Sequence, residues 1–102
     1  MDHKEIDAQI GEAWRSHYTG QNEVAIEKFS QILSETPDHI DANWGIGLAY
    51  RKSGEKEKAL QAFQKVIDLI SEVLDASPED RERFFMLRRM AQQQIDYIGK
   101  FI

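Results

Sequence analysis

Apolar residues recur at helical spacing through most of the chain. Between residues 40 and 54, Ala42, Ile46, Gly47 and Tyr50 fall on one face of a helix. Gly54 follows at a position where a left-handed residue commonly ends a helix. The pattern therefore predicts a helix that stops at Gly54 and turns sharply.

A second helix is predicted directly after this turn. Ala59, Phe63, Val66 and Ile67 share its inner face, and the apolar spacing continues far enough to predict helix to about Asp75. The two helices are expected to run antiparallel, because the turn between them is short. Small residues, at Gly47 and Ala59 on the two helices, would then allow the close approach that this arrangement requires.

The last third of the chain predicts one more helix, over residues 78–99. Ser77 suits the N-cap and Pro78 suits the first helical position. One stripe of apolar residues follows the inner side of this helix: Phe84, Leu87, Ala91, Ile95 and Ile98. Four other apolar residues lie off the stripe: Phe85, Met90, Tyr97 and Phe101. We expect this helix to cover the end of the preceding helices.

The chain also repeats itself at an offset of 34 residues. Six pairs share this offset: Ala8 and Ala42, Gly20 and Gly54, Ala25 and Ala59, Phe29 and Phe63, Ile32 and Val66, and Leu33 and Ile67. Helix–turn–helix units of this period, with small and aromatic residues at these places, resemble the tetratricopeptide repeat family. Pro37 also matches the family pattern, whereas Ser16, Asn43 and Ser71 depart from it.

The resemblance implies an all-α fold, an α–α superhelix in a single domain over residues 1–102. Repeat one would span about residues 6–39, and repeat two about 40–73. The helix at about 78–99 would be the cap, which a stack of two repeats needs in order to bury its open end. In this family the concave face, lined by the first helix of each repeat, takes peptides or protein segments.

The composition of the chain excludes several classes of function. The formal net charge is −5, so the chain has no general attraction for nucleic acid or anionic membranes. No cysteine is present, which excludes disulfides and thiolate sites. No apolar run reaches the length of about 18 residues typical of a membrane span. We expect a cytoplasmic protein that binds neither nucleic acid nor membrane.

The partner-binding surface is predicted on the outer side of the first helices. Eight residues are assigned to it: Ile10, Trp14, His17, Tyr18, Trp44, Leu48, Arg51 and Lys52. Gly45 is placed on the same side. The two tryptophans carry the hypothesis, because the inner face is already supplied by other residues and outward-facing tryptophans favour a binding surface. The alternative is that the final helix folds over the groove and uses Trp14 or Trp44 as core.

Arg88 is assigned to the same surface. If its face of the final helix borders the groove, the groove has a basic wall and suits an apolar segment carrying Asp, Glu or a terminal carboxylate. Alternatively, the arginines of this helix pair with Glu79, Asp80 and Glu82 on a solvated surface.

Catalysis finds little support in the sequence. It contains no Gly-rich phosphate loop and no nucleophile elbow, and the neighbouring Asp38, His39 and Asp41 fit no structural zinc pattern. We predict a scaffold or adaptor module with no enzymatic activity, cofactor or metal. The alternative function is a homodimer formed through the C-terminal helix, in which Tyr97, Phe101 and Ile102 supply apolar surface.

Overall fold

The structure, a computed structural model, describes residues 3–76 and 81–100. These residues form five helices in chain order: α1 (His3–Tyr18), α2 (Asn22–Glu35), α3 (Ile40–Lys52), α4 (Lys56–Ala76) and α5 (Arg81–Gly99). Each helix packs against the next one along the chain. The described residues contain no strand, and the expected all-α class is confirmed.

Two glycines close the turns that follow α1 and α3. Gly20 and Gly54 have φ angles of 82° and 87°, a left-handed conformation that costs glycine little because it has no Cβ. After α1, the backbone N–H of Gln21 donates to the carbonyl of Ser16 at 2.9 Å, and the same pattern follows α3. The predicted end of α3 at Gly54 is therefore confirmed.

The interior consists of two apolar clusters that meet at α3. The first joins α1, α2 and α3 through Ala13, Ala25, Phe29, Ile32, Ala42, Ile46 and Ala49, with Ala62 of α4 at its edge. The second joins α4 and α5 through Ala59, Phe63, Val66, Ile70, Ala91 and Ile98, and residues of α3 such as Trp44 and Leu48 pack against it. Tyr50 packs against both clusters. As the middle element, α3 is therefore buried from two sides.

Glycines let α3 accept an aromatic ring on each of these sides. A Cβ on Gly47 would lie 2.6 Å from Cε1 of Phe63, so the small residue predicted there makes room for this ring. A Cβ on Gly45 would collide with the ring of Phe29. The expectation that Gly45 lies on the outer side is wrong, because Phe29 of the preceding helix occupies that position.

The position of a helix in the stack decides which of its small residues are buried. Ala42 of α3 is fully buried, whereas Ala8, its partner at the 34-residue offset, is exposed. Helix α3 packs on the preceding α2, and no described helix precedes α1. Of these two alanines at equivalent positions, only Ala42 therefore contributes to the core.

Helix α5 covers α4 through its predicted stripe. Ala91 and Ile98 are buried in the second cluster, and Phe84, Leu87 and Ile95 pack against them. On its far side α5 is polar, and Nε2 of Gln92 donates to the Asp96 carboxylate at 3.0 Å. The predicted start at Ser77 and Pro78 lies outside the described residues, as do Glu79, Asp80, Phe101 and Ile102. Helix α4 ends one residue beyond the expected Asp75.

Candidate binding groove between the odd-numbered helices

Helices α1, α3 and α5 line a groove of about 530 Å³ on one side of the stack. Its walls are Asp7 and Ile10 of α1, Ile40, Asp41 and Trp44 of α3 with the preceding His39, and Arg83, Met86, Leu87 and Met90 of α5. We call this feature the central groove. The first helices of the two predicted repeats, α1 and α3, therefore line this groove together with α5.

The α5 wall of the central groove combines Arg83 with three apolar side chains, and its two methionines are open to solvent. Met86 is 66% exposed and Met90 is 42% exposed, although both belong to a helix that is otherwise anchored in the core. Trp44 forms the floor beside them and is half-buried, with its ring centroid 5.3 Å from that of Phe63. Trp44 is thus both a core residue and a groove residue.

Trp14 has a different role from Trp44. Its ring meets Phe29 edge-on, with centroids 5.3 Å apart, and it packs against the first cluster. Its indole Nε1 donates a hydrogen bond of 3.0 Å to Oδ2 of Asp41. Trp14 is not among the residues that line the central groove. The side chain therefore ties α1 to α3 and fixes the groove wall that Asp41 supplies.

A second cavity, of about 370 Å³, lies at the other end of α3. Its lining is His17, Leu48, Arg51 and Lys52, and we call it the basic pocket. Nη1 of Arg51 donates to Oε1 of Gln94 at 2.8 Å. The same guanidinium lies 4.9 Å from the ring centroid of Tyr97. Helix α5 therefore holds the Arg51 side chain in place. Both Arg51 and Lys52 are exposed to solvent.

His17 contributes a neutral ring to the basic pocket. It is only 9% exposed, and its Nδ1 is buried with no hydrogen-bond partner in the described part of the chain. Burial lowers the pKa of His17 below its ordinary value of 6.5, and the positive charge of Lys52 lowers it further. At neutral pH the charge of this pocket therefore comes from Arg51 and Lys52.

The structure separates the remaining predicted residues. Tyr18 is 76% exposed and stacks on Trp14 at the edge of the helix pair, with centroids 5.7 Å apart. Arg88 lies with its guanidinium 4.9 Å from the centroid of Phe85 and does not line the central groove. The arginine of α5 that does line it is Arg83.

Sequence reasoning missed the part of the groove that belongs to α5. Arg83, Met86 and Met90 recur every three or four residues, which is itself a helical stripe. This stripe runs beside the buried one. Met90 was placed off the buried stripe but was not assigned to the groove, because an arginine and two methionines do not form a uniform apolar pattern. Ile40 was missed because it is the first residue of α3.

Comparison with protein families supports the helical fold described for α3 and α4. Residues 41–69 match the family model of the tetratricopeptide repeat. The match covers nearly all of α3 and most of α4, so the expected resemblance to this family is confirmed there. The number of repeats stays a prediction. No curated protein and no solved structure matches the chain.

The tetratricopeptide match indicates a protein-interaction module in general, since folds of this type bind proteins or peptides and are typically non-enzymatic. Two further observations concern the described residues. None of their helices is long and apolar enough to cross a membrane. Nor do they contain a group of three or more histidine and carboxylate side chains that could hold a metal ion.

Proposed function

We propose that this protein is an adaptor module that binds a segment of another protein in the central groove. One observation carries the proposal: Met86 and Met90 expose neighbouring apolar side chains beside Trp44 in a preformed cavity. Burial of an apolar side chain of this size contributes about 1.5–3 kcal/mol when it is complete. Methionine also adapts its shape to different partners, which suits a binding surface.

The proposed activity is binding without catalysis or a cofactor, in the cytoplasm. The family match supports this reading, because the tetratricopeptide fold serves interaction in general. Three of the predicted residues then have a role at the central groove. Ile10 and Trp44 contact the partner directly in the central groove, and Trp14 positions Asp41 for that groove.

Self-association is the second candidate function. Its support is the exposed apolar surface of α5, where Met86, Met90 and Tyr97 are all open to solvent. A second copy of the chain could cover this surface. Light scattering coupled to size-exclusion chromatography distinguishes the two functions: a dimer that Met86→Glu converts to monomer would assign the groove to self-association, and a monomer leaves the groove open for a different protein.

Peptide selection tests the proposal directly. The immobilised chain is panned against a phage-displayed library of random peptides, and the affinity of enriched peptides is measured by fluorescence anisotropy. Met86→Glu is expected to weaken binding about tenfold or more, because a partner would have to bury the new carboxylate. Gln61→Glu adds the same charge at an exposed position of α4 and is expected to leave affinity unchanged.

Two results would contradict the proposal. Selection could yield no enriched peptide, or it could yield peptides that bind Met86→Glu as tightly as the native chain. Circular dichroism of both variants checks that the fold is intact, which is expected because Met86 and Gln61 are exposed.

A further inference from the structure

We infer that the partner segment carries opposite charges at its two ends, a Lys or Arg beside Asp7 and Asp41 and an Asp or Glu at the basic pocket. The inference rests on the proposed function and specifies the partner that fits it. It also adds an acidic end to the surface expected from sequence, which was an aromatic groove with one basic wall for an apolar segment carrying an acidic group.

The acidic end of the surface is formed by two helices. Asp7 of α1 and Asp41 of α3 both line the central groove, near the N-terminal ends of their helices, and both are exposed. Arg83 is on the opposite wall, with its guanidinium 5.2 Å from the ring centroid of Phe84. A partner cation is therefore favoured close to α1 and α3, away from the α5 wall.

The basic end is formed where α3 terminates. Arg51 and Lys52 supply two positive charges, and no carboxylate is among the residues that line this pocket. Trp44 of the central groove and Leu48 of the basic pocket are four residues apart on α3, so two apolar side chains of the same helix face lie between the charged ends. The neutral ring of His17 adds a polar edge without adding charge at neutral pH. An acidic partner side chain would find complementary charge here.

Within the described part of the chain, the charged groups at the two ends form no ion pair with another side chain. The ion pairs found there lie elsewhere: Lys28 with Glu12, Lys58 with Glu55, and Lys65 with Asp38. Asp41 accepts the indole N–H of Trp14, and Arg51 donates to the Gln94 amide, but both of these partners are neutral. A charged side chain on a bound segment would therefore form an ion pair that these groups do not form with one another.

The two ends have a defined separation. Asp41 and Lys52 lie on the same helix, and a rise of 1.5 Å per residue places them roughly 16 Å apart along its axis. An extended segment spans this distance in about five residues, and a helical segment in about eleven. Complementary charges at such spacing would fix the direction of the segment and raise its association rate.

The peptides enriched in the selection test this inference. On the native chain they are expected to carry a basic residue and an acidic residue at this spacing, with apolar residues between them. Panning on Lys52→Glu is expected to enrich peptides that no longer need an acidic residue at that end, because the new carboxylate offsets the charge of Arg51. A peptide selected on the native chain should lose about fivefold in affinity for Lys52→Glu, and the loss should disappear at about 1 M salt.

Arg89→Glu is the matched control, because it reverses an exposed charge of α5 outside both cavities. The inference would be overturned by peptides that require Met86 but show no pattern of opposite charges, or by an equal response to Lys52→Glu and Arg89→Glu. Either result leaves the proposed function intact. Peptides that bind independently of Met86, or the absence of any enriched peptide, would overturn the proposed function and the inference with it.

Discussion

Single residues of α3 decide how closely its neighbours approach. Gly45 faces Phe29 and Gly47 faces Phe63, so one aromatic ring enters from each side where a methyl group would otherwise lie. Both rings are completely buried. Close-packed interiors of this kind have no spare volume for an added carbon atom. The orientation of α3 therefore depends on having glycine at positions 45 and 47. The position of Trp44 in the groove depends on the same two residues.

Gly45→Ala is expected to lower the free energy of unfolding by about 1–3 kcal/mol, since the new methyl group collides with a buried ring. Gly11→Ala is the control. Its Cβ would meet no atom within 4 Å, and an alanine in an exposed helix should raise the free energy of unfolding by about 0.5–1 kcal/mol. Urea denaturation measures both. Equal stability of the two variants would contradict the packing described for α3.

His17 makes stability depend on pH. Its folded-state pKa is lowered, so the unfolded chain binds the proton more tightly than the folded chain does. The contribution of His17 to the free energy of unfolding is fully present above pH 6.5, which is the ordinary pKa of histidine. It is lost as the pH falls from there toward the lower pKa of the folded state. His17→Gln should therefore reduce the dependence of stability on pH below 6.5.

Urea denaturation of the native chain and the variant at several pH values provides the comparison. An NMR titration of the imidazole gives an independent test. Lys52→Gln should raise the pKa of His17 without restoring its ordinary value, because burial is the larger cause. An unchanged pH dependence in His17→Gln would show that another group is responsible.

At the scale of elements, one hydrogen bond joins two helices that are not neighbours in the chain. The indole of Trp14 on α1 donates to Asp41 on α3, beside the central groove. A double-mutant cycle with Trp14→Phe and Asp41→Ala is expected to give a coupling free energy of about 0.5–1.5 kcal/mol. The cycle removes the separate effect of Asp41 at the start of its helix. A coupling of zero would mean that the bond does not contribute to stability.

The helices themselves could be predicted from the sequence, because apolar spacing and terminating glycines act locally. Gly54 ends α3 as expected, and the stripe of α5 is buried as expected. The rotation of each helix about its axis was harder to predict. Gly45 was placed outward because the pairing of α3 with α4 accounts for Gly47 but gives no information about α2. A middle helix is contacted from two sides, which leaves only a narrow exposed arc.

Some residues that line the central groove could be predicted from the sequence, and others could not. Trp44 and Ile10 line the central groove, whereas Arg88 lies elsewhere and Arg83 takes the place expected for it. The difference arises because two residues of one helix can both lie off its buried stripe yet flank it on opposite sides. Which flank meets α3 is determined by how α5 docks on α4, and that contact is not encoded in either helix alone.

At the scale of the whole molecule, two apolar clusters meet at α3, and each cluster has its own tryptophan. Trp14 packs with the first and Trp44 with the second. Because most of the packing in this stack is between helices adjacent in the chain, damage at one end need not spread to the other. Ala91 offers a way to test this, because it is completely buried between α4 and α5.

Ala91→Asp is expected to detach α5 by placing a carboxylate in the second cluster, at a cost of several kcal/mol. In NMR spectra the indole resonance of Trp44 should shift strongly, and that of Trp14 should stay near its native position. Gln93→Asp introduces the same group at an exposed site of α5 and should leave both resonances in place. Equal changes at both tryptophans would instead indicate a single cooperative unit.

The thioethers on the wall of the groove also expose it to oxidation. Met86 and Met90 are both open to solvent, so peroxide reaches their sulfur atoms without any unfolding of the helices. Conversion to the sulfoxide makes a flexible apolar side chain polar and is reversed by methionine sulfoxide reductases. Oxidation would therefore change the chemistry of this wall while α5 remained docked through its buried stripe. Under the proposed function, the two methionines that suit the groove to different partners would also make its affinity sensitive to the redox state of its surroundings.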